Sequence, residues 1–339
     1  MTKIRILLIR IDRIGDVVLT TAIPREIKNK FPDAFIAVMV RSYTKDIFIN
    51  NPYVDEVIIA DEYINCEKPE VLKYAAKLRN YKFTHSFLIL PNEKLNYIIF
   101  LSGIKNRFGT GHKLYQFITG VKGLSRNKYN PLRHEADYCM DFARAIGVTT
   151  SNIDSEIYLS VIEKEKSKKL NLLLKKDNLS KKIIGIHTTS GNSAPNFIIK
   201  EYSILLNELL NEPDYIVCIT DNKVPKELDN IDNVVYLNRN NNLRDTIVNL
   251  SAIDLLVCAS TGPLHIAAAL KIKSVSLFCP LTACSPKLWG PVGNKSIELI
   301  PDANYCAGNC PNDPKKCKYE NGGIKIDTIL QSINKLLMN

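Results

Sequence analysis

No stretch of the 339-residue chain reaches the roughly 18 uncharged apolar residues of an ordinary membrane-spanning helix. The amino-terminal run MTKIRILLIRIDRIGD is interrupted by charge too often for a secretory signal, and reads instead as a first strand. No G-x-G-x-x-G follows that strand, and no G-x-x-x-x-G-K-[ST] occurs. Neither a nicotinamide enzyme nor a P-loop ATPase is therefore supported. Tryptophan occurs once, at Trp289, and no acidic residue stands between positions 104 and 134. The nine cysteines are an odd number and scattered, which favours a reducing, cytoplasmic compartment over a disulfide framework.

What is present is an ordinary globular balance. Hydrophobic residues make up 45% of the chain, enough for sizeable cores, and the length suggests two domains. The formal charge of +10 favours nucleic acid, an anionic membrane surface or an acidic substrate. A Lys-, Asn- and Ile-rich composition without a special partner accounts for it equally well.

Apolar runs alternate with helical patterns. Strands are expected over 4–11, 35–40, 56–60 and 85–90, and helices over 17–30, 69–79, 93–102 and 135–146. After a charge-rich surface helix within 161–182 the scheme repeats. Strands fall over 183–187, 215–220, 234–237, 255–258 and 274–278, with helices over 202–210, 243–250 and 264–270. The fold class is α/β: two Rossmann-like doubly wound domains, 1–160 and 161–339, facing a central cleft. An amphipathic helix over 324–338 is expected to pack back toward the N-terminal domain. In such sheets ligands lie beyond the carboxyl ends of the strands.

Three turns at those ends carry candidate chemistry. The first runs from Ile11 to Asp16, where Gly15 precedes a carboxylate at a helix start. Asp16 reads as a general base on a hydroxyl or as a plain helix cap, and Arg13 as an anion ligand or a partner of Asp12. The second, around Thr188, Ser190 and Ser193, is rich in hydroxyls and suits a phosphate, though a generic polar loop has the same composition. The third follows strand 255–258. There Ser260 or Thr261 can cap a helix, Gly262 permits close approach, Pro263 suits the first helical position, and Leu264 and His265 follow. A helix start of this kind is a natural anion site.

Lys105, Arg107 and Lys113 belong to the basic stretch 104–134, which is interleaved with aromatic residues. It suits a phosphorylated glycolipid at an anionic membrane face; RNA fits the composition, but no RNA motif accompanies it. Cys306, Cys310 and Cys317 form C-x3-C-x6-C. They read as structural thiols, or as zinc ligands with a fourth from elsewhere, such as Cys284. Trp289 suits a pocket wall or a core position.

Together these features resemble the family 9 glycosyltransferases, the heptosyltransferases of lipopolysaccharide core assembly and their relatives. The residues that carry the resemblance are the Gly15-Asp16 turn, the H-x-x-x-G-x-S loop from His187 to Ser193 and T-G-P-L-H-I-A-A-A-L from Thr261, with L-F-C-P and W-G-P-x-G after it. The resemblance implies the GT-B architecture, with the acceptor on the N-terminal domain and the nucleotide sugar on the C-terminal one. It implies inverting transfer without a metal or other cofactor. The donor would be ADP-heptose or another nucleotide sugar, heptose being favoured. The acceptor would be an anionic glycolipid, a lipopolysaccharide core or another cell-surface saccharide. The setting implied is cytoplasmic, peripheral to the inner face of the cytoplasmic membrane, with no nucleic acid involved.

On this resemblance Asp16 is the general base, a role worth about 10²–10⁴-fold. Arg13, Gly15, Lys105, Arg107 and Lys113 fall to the acceptor. Thr188, Ser190, Ser193, Lys200, Ser260, Thr261, Gly262, Pro263, Leu264 and His265 fall to the donor. Two positions depart from the pattern. Pro195 stands where the family's diphosphate-binding lysine is expected, with Lys200 as a substitute, and Ser260 replaces an acidic residue at the donor sugar. The alternatives these departures motivate are a different nucleotide sugar or a non-catalytic binding relative. A nucleotide-sugar epimerase needs a group of acidic residues that the sequence lacks.

Overall fold

The computed structural model describes residues 3–176, 178–320 and 322–338. The chain divides into two compact units, Met1–Tyr158 and Leu159–Asn339.

The first unit runs β1 (Arg5–Ile9), α1 (Ile14–Val18), α2 (Ala22–Lys30), β2 (Phe35–Val40), β3 (Glu56–Ile59), α3 (Asp61–Asn65), α4 (Val71–Asn80), β4 (His85–Leu88), α5 (Glu93–Leu101), β5 (Asn106–Thr110), α6 (Leu114–Ile118), β6 (Lys122–Leu124) and α7 (Glu135–Arg144). Its sheet is parallel, in the order β3-β2-β1-β4-β5-β6. Ile6, Leu7, Leu8 and Ile9 of β1 are buried on both faces, the continuous apolar pattern of a central parallel strand.

The second unit runs α8 (Val161–Lys175), β7 (Lys182–His187), α9 (Ile199–Leu210), β8 (Tyr215–Ile219), β9 (Val235–Tyr236), α10 (Leu243–Leu250), β10 (Leu255–Ala259), α11 (Gly262–Ala269), β11 (Lys273–Leu277), α12 (Pro286–Trp289), β12 (Ser296–Leu299), α13 (Ala303–Asn309) and α14 (Ile326–Met338). Its parallel order, β12-β11-β10-β7-β8-β9, is the same winding. In each sheet the winding direction reverses beside the unit's first strand: between β1 and β4, and between β7 and β10. Ligands of doubly wound sheets bind at that reversal, beyond the carboxyl ends.

The elements follow the expectations closely where the apolar periodicity is clean, as at α10. Two differences have physical causes. The single helix expected over 17–30 is two, because the chain turns at Leu19–Thr21 and Pro24 sits in the first turn of α2, where its missing N–H costs nothing. The Thr20 and Thr21 hydroxyls help the break by donating to the Val17 and Val18 carbonyls, each at 2.7 Å. The basic stretch contains β5, α6 and β6, whose strands are short and charged, with β6 at the sheet edge, and give little alternation to read.

The final helix is built into its own unit. Ile329, Ile333 and Leu336 join the core formed with β7, β8, β10 and β11, each contributing about 1.5–3 kcal/mol by burial. No helix among the described residues is long and apolar enough to cross a membrane.

Candidate functional site

In the first unit the turn after β1 is organised by Arg10, a buried cation that ends the apolar strand. Its Nε donates to Asp12 at 2.7 Å, and its Nη2 to Asp16 at 2.6 Å. Its Nη1 donates to buried Glu135 at 3.3 Å and to the Cys139 thiol at 3.4 Å. Arg126 holds the other oxygen of Glu135 at 2.6 Å. Burial pushes the Asp12 carboxyl up to about 6, with Asp16 adding to the rise and Arg10 opposing it. Burial by itself would lower Arg10, but Cys139, Asp12, Asp16 and Glu135 hold it above its ordinary value. Asp16 is half-buried, fixed by one charged bond, with a second oxygen left for another partner. Gly15 is buried beneath it, and Arg13 is exposed as the residue preceding α1, without capping that helix through its side chain.

The other acceptor candidates do not all gather here. Lys113 follows β5 and lies, like Asp16, on the carboxyl side of the sheet. Lys105 precedes β5, at the amino end of the sheet and a full strand length from Asp16, and Arg107 lies level with Ser86 and Leu7, in the middle of the sheet. Arg107 also has its nitrogens occupied: Nε and Nη2 donate to the Thr119 carbonyl at 3.1 and 2.6 Å, and Nη1 to that of Ile104. It fastens the β5–β6 connection. A planar fork of donors serves two carbonyls as readily as a carboxylate, which composition alone does not distinguish.

In the second unit the loops after β7 and β10 flank the reversal point. The loop after β7 is tied down by Asp221, buried just past β8. The Thr188 N–H and hydroxyl donate to one Asp221 oxygen at 2.8 and 3.0 Å, and those of Thr189 to the other at 2.9 and 2.7 Å. Burial lowers His187 from its ordinary value against the pull of Asp221, keeping the imidazole neutral. Asn196 donates to the Thr188 carbonyl at 2.8 Å and accepts from buried Tyr202 at 2.6 Å. Gly191 and Asn192 both adopt left-handed φ, 53° and 56°, closing a tight turn in which the Ser193 N–H meets the Ser190 carbonyl at 2.9 Å.

The same web engages three of the donor candidates. The hydroxyls of Thr188, Ser190 and Ser193 already donate within the protein, to Asp221, to the Ala194 carbonyl at 3.1 Å and to the Ser190 carbonyl at 2.7 Å. These bonds shape the loop after β7. The Ser193 hydroxyl also reaches the Ser260 carbonyl at 3.5 Å, which sets this loop beside the one after β10.

There, Thr261 precedes α11, but neither it nor Ser260 caps the helix through its side chain. The Thr261 hydroxyl is buried beside the Cys258 thiol, with no nitrogen or oxygen partner. Gly262 and Pro263 are half-buried, whereas Leu264 and His265 point into the core. Lys200, exposed in the first turn of α9, is the cation of this region, since buried Pro195 contributes none. Trp289 is half-buried, its Nε1 donating to the Ala283 carbonyl at 3.0 Å.

Comparison with known proteins supplies the family. The model of glycosyltransferase family 9 (heptosyltransferase) matches residues 71–319, more than half of the chain. The chain belongs to glycosyltransferase family 9. A Haemophilus influenzae protein described only as a glycosyltransferase is 26% identical over 99% of this chain and 97% of its own length. Lipopolysaccharide heptosyltransferase 2 of Escherichia coli K12 is 25% identical over 87% of this chain and 88% of its own. The solved structure of E. coli ADP-heptose lps heptosyltransferase II superposes with a TM-score of 0.76 at 18% identity, covering 99% of both chains. This likeness shows the GT-B fold of the family 9 protein. The family match begins after Asp16 and does not cover it.

Sequence reasoning missed Arg10, Glu135 and Asp221. Each has a faint signal: Arg10 and Asp221 are charges directly abutting apolar strand runs, where a buried charge needs partners. Glu135, far from Arg10 in sequence, carries none.

Proposed function

We propose that this family 9 protein is an inverting glycosyltransferase. It moves a sugar, heptose being favoured, from a nucleoside-diphosphate donor to a lipopolysaccharide-core or other cell-surface saccharide. Asp16 is the general base. It takes the proton of the acceptor hydroxyl as that oxygen attacks the anomeric carbon and the nucleoside diphosphate departs from the opposite face. The observation that carries the reading is Asp16 held at 2.6 Å by buried Arg10 at the sheet reversal, oriented with an oxygen left for an acceptor hydroxyl. The donor is assigned to the second unit. The start of α11 faces the phosphates, Lys200 adds charge, and the loop stapled by Asp221 sets the wall.

Pro195 and Ser260 favour a second reading for the donor, a nucleotide sugar other than ADP-heptose. Losing one charged contact to a diphosphate costs about 1.5–3 kcal/mol, and a serine makes no ionic demand on the sugar. A melting-point screen against ADP-, UDP-, GDP- and CMP-sugars separates the two. No shift with any of them sinks the transferase reading. With the donor found, Asp16→Asn is expected to lower transfer about 10²–10⁴-fold while the donor-induced melting shift persists. A variant that keeps full transfer removes Asp16 from the mechanism.

Peripheral attachment to an anionic membrane face belongs to the same reading. Leu114, Phe117 and Ile118 of α6 are 76, 84 and 63% exposed, directly after Lys113. Apolar side chains beside cations suit a headgroup boundary. Phe117→Glu is expected to abolish sedimentation with phosphatidylglycerol vesicles and leave transfer to a water-soluble acceptor unchanged.

A further inference from the structure

Glu135 is a fully buried acid close to the proposed base, and it has no part in the transfer as described so far. Its Oε1 accepts from Arg10 Nη1 at 3.3 Å, and its Oε2 from Arg126 Nη1 at 2.6 Å. A carboxylate taken out of water is stable only when paired, and this one is paired on both oxygens. It also opens α7, where the amide end of the helix favours negative charge. Side chains of α7 seat that helix in the unit. Cys139, Met140, Phe142 and Ala143 are buried, and Phe142 lies against Phe87 of β4 with ring centroids 5.7 Å apart.

Arg10 joins α7 to the turn after β1. Its Nη1 faces the helix, where it donates to Glu135 and, one turn further on, to the Cys139 sulfur at 3.4 Å. Its Nε and Nη2 face the turn, donating to Asp12 and Asp16 at 2.7 and 2.6 Å. A guanidinium is planar and its N–H groups keep fixed directions, so holding Nη1 and Nε decides where Nη2 points. Nη2 is the nitrogen that holds Asp16.

Cys139 is a weak substitute for the acid. Burial raises its thiol above the ordinary value, with Glu135 adding to the rise against Arg10 and Arg126, and a neutral thiol is a poor acceptor. The thiol itself leans on Glu135, donating to Oε1 at 3.6 Å.

We infer that Glu135 is a positioning residue for glycosyl transfer. From α7, and through Arg10, it fixes the direction in which Asp16 offers its second oxygen to the acceptor hydroxyl. The inference rests on Asp16 as the general base. Glu135 is buried and, among the described residues, makes no hydrogen bond to Asp16, so it takes no proton from the acceptor and acts by geometry. Arg126 adds one link. It holds the far oxygen of Glu135 from the connection between β6 and α7, its guanidinium 5.7 Å from the Tyr138 ring. Arg126, Glu135, Arg10 and Asp16 thus form one chain of hydrogen bonds that ends at the proposed base.

The test is a double-mutant cycle on the full chain. Transfer is read as nucleoside diphosphate released from whichever ADP-, UDP-, GDP- or CMP-sugar shifts the melting point. Deacylated lipopolysaccharide core serves as acceptor, at a temperature where circular dichroism shows every variant folded. Glu135→Gln keeps the shape and removes the charge; kcat should fall about tenfold while KM for the donor stays within about twofold. In the Asp16→Asn background the same replacement should cost less than about twofold, because an orientation with no base to orient has no value. Should Glu135→Gln fail to fold, Glu135→Asp, which withdraws the carboxylate by one methylene, carries the same cycle with the same expected pattern.

A loss of equal size in both backgrounds overturns the inference and leaves Glu135 a structural acid. So does an unchanged kcat, or a loss that lies in KM for the donor. An Asp16→Asn protein with full transfer overturns the base assignment along with the inference, and that single arm identifies the case. No melting shift with any of the sugars sinks the transferase reading and this inference together.

Discussion

The two sheets are wound in the same order, yet the turns at their reversal points are built from opposite materials. In the first unit the turn after β1 is a knot of buried charge: Arg10 bonded to Asp12, Asp16 and Glu135, with Arg126 behind. In the second, the turn after β7 is a web of hydroxyls and amides drawn onto one carboxylate, Asp221, with a neutral histidine beside it. A base that takes a proton needs a fixed orientation and a charge matched by its neighbours, which a cation at strand end supplies. A loop that shapes itself around a phosphate-bearing ligand must hold its backbone still without competing for the anion. In the proposed donor loop, buried Asp221 does the holding by accepting the N–H and hydroxyl groups of Thr188 and Thr189.

Removing the centre of each turn tests the contrast. Arg10→Met should have the largest effect. It leaves Glu135 and Asp12 buried with too few partners, at about 3–5 kcal/mol of stability, and frees Asp16 from its orientation. Thermal unfolding and transfer rate should fall together. If only one falls, the knot does not serve both stability and chemistry.

Asp221→Asn comes next. The amide turns an NH₂ toward donors that need an acceptor, with an expected loss of about 2–4 kcal/mol and of the donor-induced melting shift. An unchanged melting point would mean that the web, unlike the knot, is dispensable.

Asp12→Asn is the mildest and carries a sign. The folded Asp12 carboxyl is raised to about 6 from an ordinary 3.8, chiefly by burial. The folded state thus prefers the protonated form, and that stability is present below the ordinary value and lost as pH rises through about 6. The neutral variant should therefore melt higher than the parent at pH 8, by about 1–3 kcal/mol, with the gain fading toward pH 4. A gain that grows with acidification would reverse the assignment of burial as the dominant effect.

Legibility in the sequence followed how local each cause was. Strands such as 35–40 and helices such as 243–250 were read at their observed bounds, because one face or two of continuous apolar residues leaves few alternatives. The three turns were placed correctly because they follow those strands. The elements inside the basic stretch and the internal anchoring of Arg107 were not legible, because a guanidinium that binds carbonyls and one that awaits a phosphate have the same letter. The internal bonds of Thr188, Ser190 and Ser193 were not legible either, because a hydroxyl's partner is chosen by what lies opposite it in space.

The sequence by itself determined the α/β alternation, the two-unit division and the position of Asp16 after the first strand. Each depends on periodicity or on neighbours a few residues apart. Only the tertiary structure decided which charges Asp16 lives among, since Glu135 reaches Arg10 across 125 positions and Asp221 reaches Thr188 across 33. The same holds for the cysteines, since Cys279, just past β11, lines one cavity with Cys306, Cys310 and Cys317 from a segment farther along the chain. Pairings over such separations are set by how strands are ordered in the sheet, a global property that no local run of residues encodes.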